Sequence, residues 1–583
     1  MSAQSCERTG WQRHWAGALV ALVTLAGAAI RFHGLGSKPL WSGEIQEITS
    51  ARSPRFWAQV LDSGTDVVGY AWHHVVWRLG LRPEEGVTRL VAALAGTATI
   101  LVIYRLGTLL HSRTAGLVAA ILLSTSFFHV YHSQDARAVA HLTFFYALSW
   151  LAMAEVFWNN RTRWAPVYAI SAGLAGLSHS LGGLYLVVQA AFFLALALTG
   201  RQPWEHARRY LFAALGALPL CAIQLFVVAD YAFAFSVTRL PVQQVMEVED
   251  LFLLRLLAAW LAGGSAVATL VALVLAAWGL AARAGRTAVL HRAHAAWMLA
   301  TWLVAPVVVL YAAAVWVRVG RFEMYHLLPV LVPFLLLAAL GLADAVDRAA
   351  RRIAQTGRAA ITLAVAAALA VAANAPALTA WYDYPVRLFQ GEDFRAVGAY
   401  LDTLGLDGRD LILTNYSEHM VPLNFYAGKS LVAARVAVPW VPENGSWRYH
   451  LLLRAEFQQT DSDVVRLEPD GIRHMSALPA GPGSMTGRVV VILPWVQRSI
   501  ADRGLAPQLE WLSGNRESLL ADPVPEGTLP AGYTAIRFPG VTLLVTDPGP
   551  RDARAEAARM TPLLVSAAPP LLRDMAPSVY GPL

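Results

Sequence analysis

Charged residues and cysteine are both scarce in this chain. Lys, Arg, Asp and Glu make up 15% of the 583 residues, and the only cysteines are Cys6 and Cys221. Soluble domains carry about 25% charged residues, so an ordinary soluble protein is excluded. Cys6 lies in the N-terminal tail and Cys221 inside an apolar run, so no disulfide framework can form and cysteine says little about compartment. A Gly-rich phosphate loop, a CxxC pair and an HExxH motif are also missing, which argues against nucleotide-driven chemistry. No ligand cluster compels a divalent metal. There is no internal repeat, and acids are nearly absent from the apolar runs apart from Glu155. Both absences count against a transporter.

What the chain has instead is apolar length. Hydrophobic residues reach 56% and mean hydropathy is +0.46. A bilayer crossing takes about 20 residues. Candidate crossings lie near 15–30, 87–110, 115–130, 138–158, 165–178, 181–199, 210–229, 251–282, 296–317, 325–346 and 359–378. The sequence thus predicts a polytopic α-helical membrane protein of about eleven spans.

A net charge of +7 is compatible with nucleic-acid binding, but the arginines sit in short clusters between apolar segments. Arg105 and Arg113, Arg161 and Arg163, Arg283 and Arg286, and Arg348, Arg351 and Arg352 all fall on one side. Glu247, Glu249 and Asp250 fall on the other. This pattern predicts a cytoplasmic N-terminus, an extracytoplasmic C-terminal region and no nucleic-acid partner. The small residues at 26–29 leave a cleaved leader as the other reading of the first segment.

Residues 1–380 are read as the membrane domain and 381–583 as an extracytoplasmic α/β domain, because beyond Leu378 the composition turns to Pro, Gly and both charge signs. Apolar β-rich runs occur at 410–414, 489–493 and 541–545, with helical patterns at 394–404 and 418–426. The tail from Arg551 reads as partly disordered. The first outer loop, 31–86, is too long for a turn. Phe56, Trp57 and Val60, then Val68, Trp72, Val75, Val76 and Leu79, recur at helical spacing. They fit helices lying along the membrane surface, or soluble helices packed on the bundle.

Three clusters on the outer side could carry chemistry, since ionisable groups near a bilayer are costly. Lys38, Glu44 and Glu47 form the first, and helix would place both acids on one face. Asp135 and Arg137, in the turn His132–Arg137, form the second. Arg318, Arg321, Glu323, Tyr325 and His326 form the third. A carboxylate beside a hydroxyl can act as general base, and Arg or Lys can stabilise a departing phosphate. The bland readings are a solvated loop, an ion pair capping two helices, and interfacial anchors. His179, flanked by Ser178 and Ser180, reads as a polar turn group.

Several segments, in order, resemble the GT-C superfamily of membrane glycosyltransferases, in the bacterial branch akin to protein O-mannosyltransferases and the aminoarabinose transferase. They are RFHGLGSKPLWSGE (31–44), GVTRLVAALAGTATILVIYRLG (86–107), YHSQDARAVA (131–140), LSHSLGGLYL (177–186), RFEMYHLLPVLVP (321–333) and GEDFRAVGAYLDTLGLDGRDLILTN (391–415). The resemblance implies a GT-C-like fold in the cytoplasmic (inner) membrane, a polyprenyl-phosphate sugar donor, and a lipid, glycan or protein acceptor on the extracytoplasmic side. By position it makes Glu44 and Asp135, with Glu47 nearby, the candidate catalytic acids. Arg137, Arg321, Lys38 and Arg318 are candidates for the donor phosphate. Tyr325, His326 and Trp41 are candidates for lining the pocket. Some members use a divalent metal.

Two departures matter. The family's Trp-x-Asp-Glu reads Trp41-Ser42-Gly43-Glu44, so the usual base is missing. Val67-Val68-Gly69 stands where many members have His-Pro-Pro. Either another acid takes the proton, or the chain is a non-catalytic relative that binds a lipid carrier or partners an envelope-polymer machine.

Overall fold

In the computed structural model, the described residues are 3–52, 66–81, 84–179, 181–198, 208, 211, 214–220, 222–223, 252–263, 266–284, 290–312, 324–384, 386, 392–414, 420–438, 472–494 and 529–566. The chain divides into two compact units, one of Met1–Leu35 and Arg55–Ala380, the other of Gly36–Pro54 and Trp381–Leu583.

The first unit is a bundle of apolar helices. Among the described residues six helices are long and apolar enough to cross a membrane, or eight if two bent pairs each count as one span. The expected spans 165–178 and 181–199 form helices Ala165–Ser178 and Gly182–Leu198, of 14 and 17 residues, too short to join that set. Most of the expected span 210–229 lies outside the described residues. Helices Val139–Asn159 and Met324–Ala349 are central, with 83% and 94% of their apolar windows buried, whereas Trp15–Phe32 is peripheral. Where helices cross, glycine lets backbones touch: a Cβ on Gly107 would lie 2.7 Å from Gly116 Cα, and one on Gly341 would strike the Leu275 carbonyl.

The segment read as one span over 115–130 is two helices, Arg113–Thr125 and Phe127–Ser133, bent by 60°. Ser126 makes the bend with an extended ψ of 115°. A break exposes backbone groups that have no water partner in an apolar bundle, so they must be satisfied by protein. Arg31, fully buried, donates to the Leu123 and Ser124 carbonyls at 3.0 Å each. On the other side, the Phe127 N–H donates to Asn374 Oδ1 at 2.9 Å. Arg31 also reaches His129 Nδ1 at 3.0 Å, and the Gln134 amide donates to the Arg31 and His33 carbonyls. The short helix and the turn after it are thereby tied to the end of the first span.

At the far end of Val139–Asn159, buried Glu155 accepts from Arg105 at 2.6 Å, Arg161 at 3.1 Å and Asn159 at 2.7 Å. Glu155 lies 16 residues along the helix from Val139, so this clamp sits about 24 Å along the axis from the Asp135 end.

The second unit carries a six-stranded sheet of order β3-β2-β1-β4-β6-β5. Its strands are β1 (Leu411–Thr414), β2 (Arg435–Val438), β3 (Ile472–His474), β4 (Val489–Pro494), β5 (Thr534–Phe538) and β6 (Val541–Val545). β1 to β4 are parallel, and β6 and β5 join antiparallel. Both faces are covered, as the uninterrupted apolar strands require. Ile412, Val490 and Ile492 face helices Phe394–Thr403 and Met420–Ala433, and Leu411, Leu413, Val489 and Val491 face helix Ala553–Ser566. In the tail from Arg551, that last helix is ordered by Ala553, Ala557, Met560 and Leu564, a buried stripe at helical spacing, while residues 567–583 lie outside the described residues. Helix Ser42–Ala51 belongs to this unit, its Ile45 and Ile48 packed with Val421 and Phe425.

Removing a cap at the break tests this description. Asn374→Ala leaves the Phe127 N–H unpaired and is expected to cost about 1–3 kcal/mol. The check is thermal unfolding in detergent beside Leu25→Ala, a truncation of a 68% exposed side chain, which is expected to change little.

Candidate functional site

Within the first unit, the turn after the broken span presents the second sequence cluster. Asp135 is 4% exposed, and its Oδ1 accepts from the Arg137 N–H at 3.3 Å. His132 Nδ1 lies 4.0 Å from Asp135 Oδ2. The Arg137 guanidinium sits 5.5 Å from the centre of the Tyr325 ring, a cation–π distance that aims its charge across an aromatic face.

Tyr325 and His326 open the 3-10 turn Met324–Val330, with ring centres 4.3 Å apart. Around them stand His132, 6.2 Å from Tyr325, and His179, 5.4 Å from His326. The Tyr185 hydroxyl donates to the His326 carbonyl and fixes the turn. The structure thus gathers Asp135, Arg137, Tyr325 and His326 in one unit. Arg318 and Arg321 lie outside the described residues.

His179 is placed by the break between helices Ala165–Ser178 and Gly182–Leu198. Burial pushes its titration down to about 4, Arg137 pushes the same way, and Asp66 opposes. The imidazole is therefore neutral near pH 7.

The sequence reading did not single out Asp66. It caps helix Val67–Arg78 from the left-handed region, with φ 42°, and its Oδ1 accepts from the Gly69 N–H at 2.9 Å. Its own N–H donates to the Ser178 carbonyl at 3.2 Å. A Cβ on residue 69 would lie 2.8 Å from Asp66 Cγ, so glycine is required there. His141, in the first turn of Val139–Asn159, places Nδ1 3.6 Å from Asp66 Oδ1. An Asp-x-x-Gly cap was the one available signal.

The remaining candidates lie in the second unit. Glu44, fully buried, and Glu47, 6% exposed, stand three residues apart on helix Ser42–Ala51, as the spacing predicts. The Trp41 N–H donates to Glu44 Oε2 at 3.4 Å. Lys38 is engaged locally: its ammonium donates to the Tyr384 carbonyl and lies 4.5 Å from the centre of the Trp381 ring. At Gly43, a Cβ would meet Trp41 ring carbons at 2.6–2.9 Å. The space where the usual carboxylate would begin is filled by indole. Among the described residues no group of three or more His, Cys, Asp or Glu is arranged to hold a metal.

The family model for dolichyl-phosphate-mannose-protein mannosyltransferase matches residues 76–226. The apo crystal structure of ArnT from Cupriavidus metallidurans superposes with a TM-score of 0.52 at 14% identity, covering 92% of this chain and 98% of that one. The same protein bound to undecaprenyl phosphate gives 0.53 at 13% identity, covering 91% and 98%. No curated protein matches the chain. The GT-C resemblance thus holds as a match to a family model and as a likeness of fold, that of an integral membrane protein.

The low titration of His179 yields a pH prediction. An unfolded histidine titrates near 6.5, so between about 4 and 6.5 the unfolded chain binds more protons. The neutral-His179 contribution is complete above pH 6.5 and is lost as pH falls toward 4. His179→Gln is expected to flatten this part of the unfolding-midpoint profile relative to the parent.

Proposed function

We propose that the protein transfers a sugar from a polyprenyl-phosphate carrier to a hydroxyl acceptor at the extracytoplasmic face of the cytoplasmic membrane. The observation that carries this reading is the pairing, on one buried turn of a GT-C-like fold, of Asp135 with Arg137 held over Tyr325. In an inverting transfer the acceptor oxygen attacks the anomeric carbon, and the carbon–oxygen bond to phosphate breaks with its electron pair going to phosphate. Arg137 stabilises that developing charge, and the Tyr325 face keeps the guanidinium aimed while excluding water. Asp135 orients the acceptor hydroxyl. Glu44 and Glu47 are further acids whose part is read by substitution, as is that of Arg318, Arg321 and Lys38 in phosphate binding. The likeness to ArnT, which binds undecaprenyl phosphate, supports the class of donor.

One observation favours a second reading, a relative that binds the carrier without transfer: the Trp41 ring stands where a side chain at position 43 would begin. Gly43→Asp alone must displace that ring, so the informative variant is Trp41→Ala with Gly43→Asp.

The test is turnover of undecaprenyl-phosphate-linked sugars in membranes containing the protein. Arg137→Gln is expected to lower turnover by about 10²–10³-fold. Asp135→Asn is expected to lower it by about 10²-fold. Unchanged turnover in both variants removes these roles. Inactivity of the parent together with activity in the Trp41/Gly43 double variant assigns the parent to the second reading.

A further inference from the structure

We infer that the buried pair Asp66–His141 receives the proton of the acceptor hydroxyl, in place of the carboxylate missing at position 43. This rests on the transferase reading and goes beyond it by naming the proton's destination. Asp66 is 0% exposed and His141 is 1% exposed. Asp66 Oδ1 is used by the helix cap. Its Oδ2 and both ring nitrogens of His141 have no hydrogen-bond partner. Buried polar atoms without partners are rare and costly, and in an apolar bundle an apolar pair would be cheaper. A helix cap needs one carboxylate oxygen. It accounts neither for Oδ2 nor for an imidazole 3.6 Å away. With Nδ1 facing Asp66, two atoms on these adjoining side chains, Asp66 Oδ2 and His141 Nε2, are left for a polar occupant that the protein alone does not supply.

The surroundings identify that occupant's chemistry. Asp66 is joined through its N–H to the Ser178 carbonyl, next to His179. His179 packs against Tyr325 and His326, with ring centres 6.5 and 5.4 Å apart. Tyr325 carries Arg137 on its face. The pair therefore adjoins, through one imidazole, the ring cluster that holds the phosphate-directed guanidinium. An occupant here is a neutral group able to donate to nitrogen, which is what a hydroxyl offers.

The step balances within the site. The hydroxyl proton passes to His141 Nε2 as the acceptor oxygen bonds to the anomeric carbon. The anomeric carbon–oxygen bond to phosphate breaks, and its electron pair leaves with the carrier phosphate. Asp66 matches the imidazolium from the Nδ1 side, and the proton returns to water after product departure. His141 is the catalytic residue in this account and Asp66 the positioning residue.

The experiment uses the full-length protein in membranes with a panel of undecaprenyl-phosphate hexoses and pentoses carrying labelled sugar. Unfolding midpoints are measured in parallel on detergent-solubilised protein. His141→Phe removes both ring nitrogens at similar volume and is expected to keep or raise the midpoint while lowering kcat by about 10²-fold. The KM for the carrier is expected to stay unchanged. Asp66→Asn keeps an oxygen for the Gly69 cap and is expected to hold the midpoint while lowering kcat about tenfold or more. It decides alone if His141→Phe does not fold. Turnover within threefold of the parent in a folded variant overturns the pair's role and leaves the transferase reading intact. A parent inert across the whole panel overturns both.

Discussion

The arrangement in the first unit depends on one constraint: a membrane helix cannot be broken in an apolar bundle unless the freed backbone groups are satisfied. Arg31 covers the Leu123 and Ser124 carbonyls, and Asn374 covers the Phe127 N–H. A carbonyl end attracts a guanidinium, so the broken helix end favours Arg31 at this point. With the break satisfied, the helix Phe127–Ser133 turns away from the axis of Arg113–Thr125, and Asp135 and Arg137 follow it in a fixed turn. A straight span would carry the same residues elsewhere.

The bundle treats its buried charges differently at its two ends. Glu155 is neutralised by two arginines and an asparagine, which is a closed and structural solution. At the opposite end of the same helix, the contacts include ring and histidine partners. Arg137 lies over a ring, His132 is at ion-pair distance from Asp135, and His141 stands near Asp66. The two ends of this helix thus hold their charged groups in different ways.

Much of this was legible in the sequence, and the remainder was not for identifiable reasons. Long apolar runs gave the helices, and the i, i+3 spacing of Glu44 and Glu47 gave their shared face. The break at Ser126 was hidden because hydropathy over 115–130 is continuous and carries no information on backbone direction. Lys38 meets Trp381 across 343 residues, and Asp66 meets His141 across 75, so neither contact leaves a local trace. The helix Ala553–Ser566 was masked by composition, since Ala and Pro suggested disorder while the buried stripe had the helical period. The family pattern marked position 43 as empty but could not show that Trp41 fills the space.

The central claim is that the turn following the broken span meets the carrier phosphate. Its most direct measurement is photo-crosslinking with an undecaprenyl phosphate analogue bearing a diazirine beside the phosphate, followed by mapping of the adducts by mass spectrometry. The account expects adducts within residues 131–139 and 324–330, competed away by unlabelled undecaprenyl phosphate. Adducts confined to other segments, or labelling of this turn that the unlabelled carrier does not displace, would contradict it.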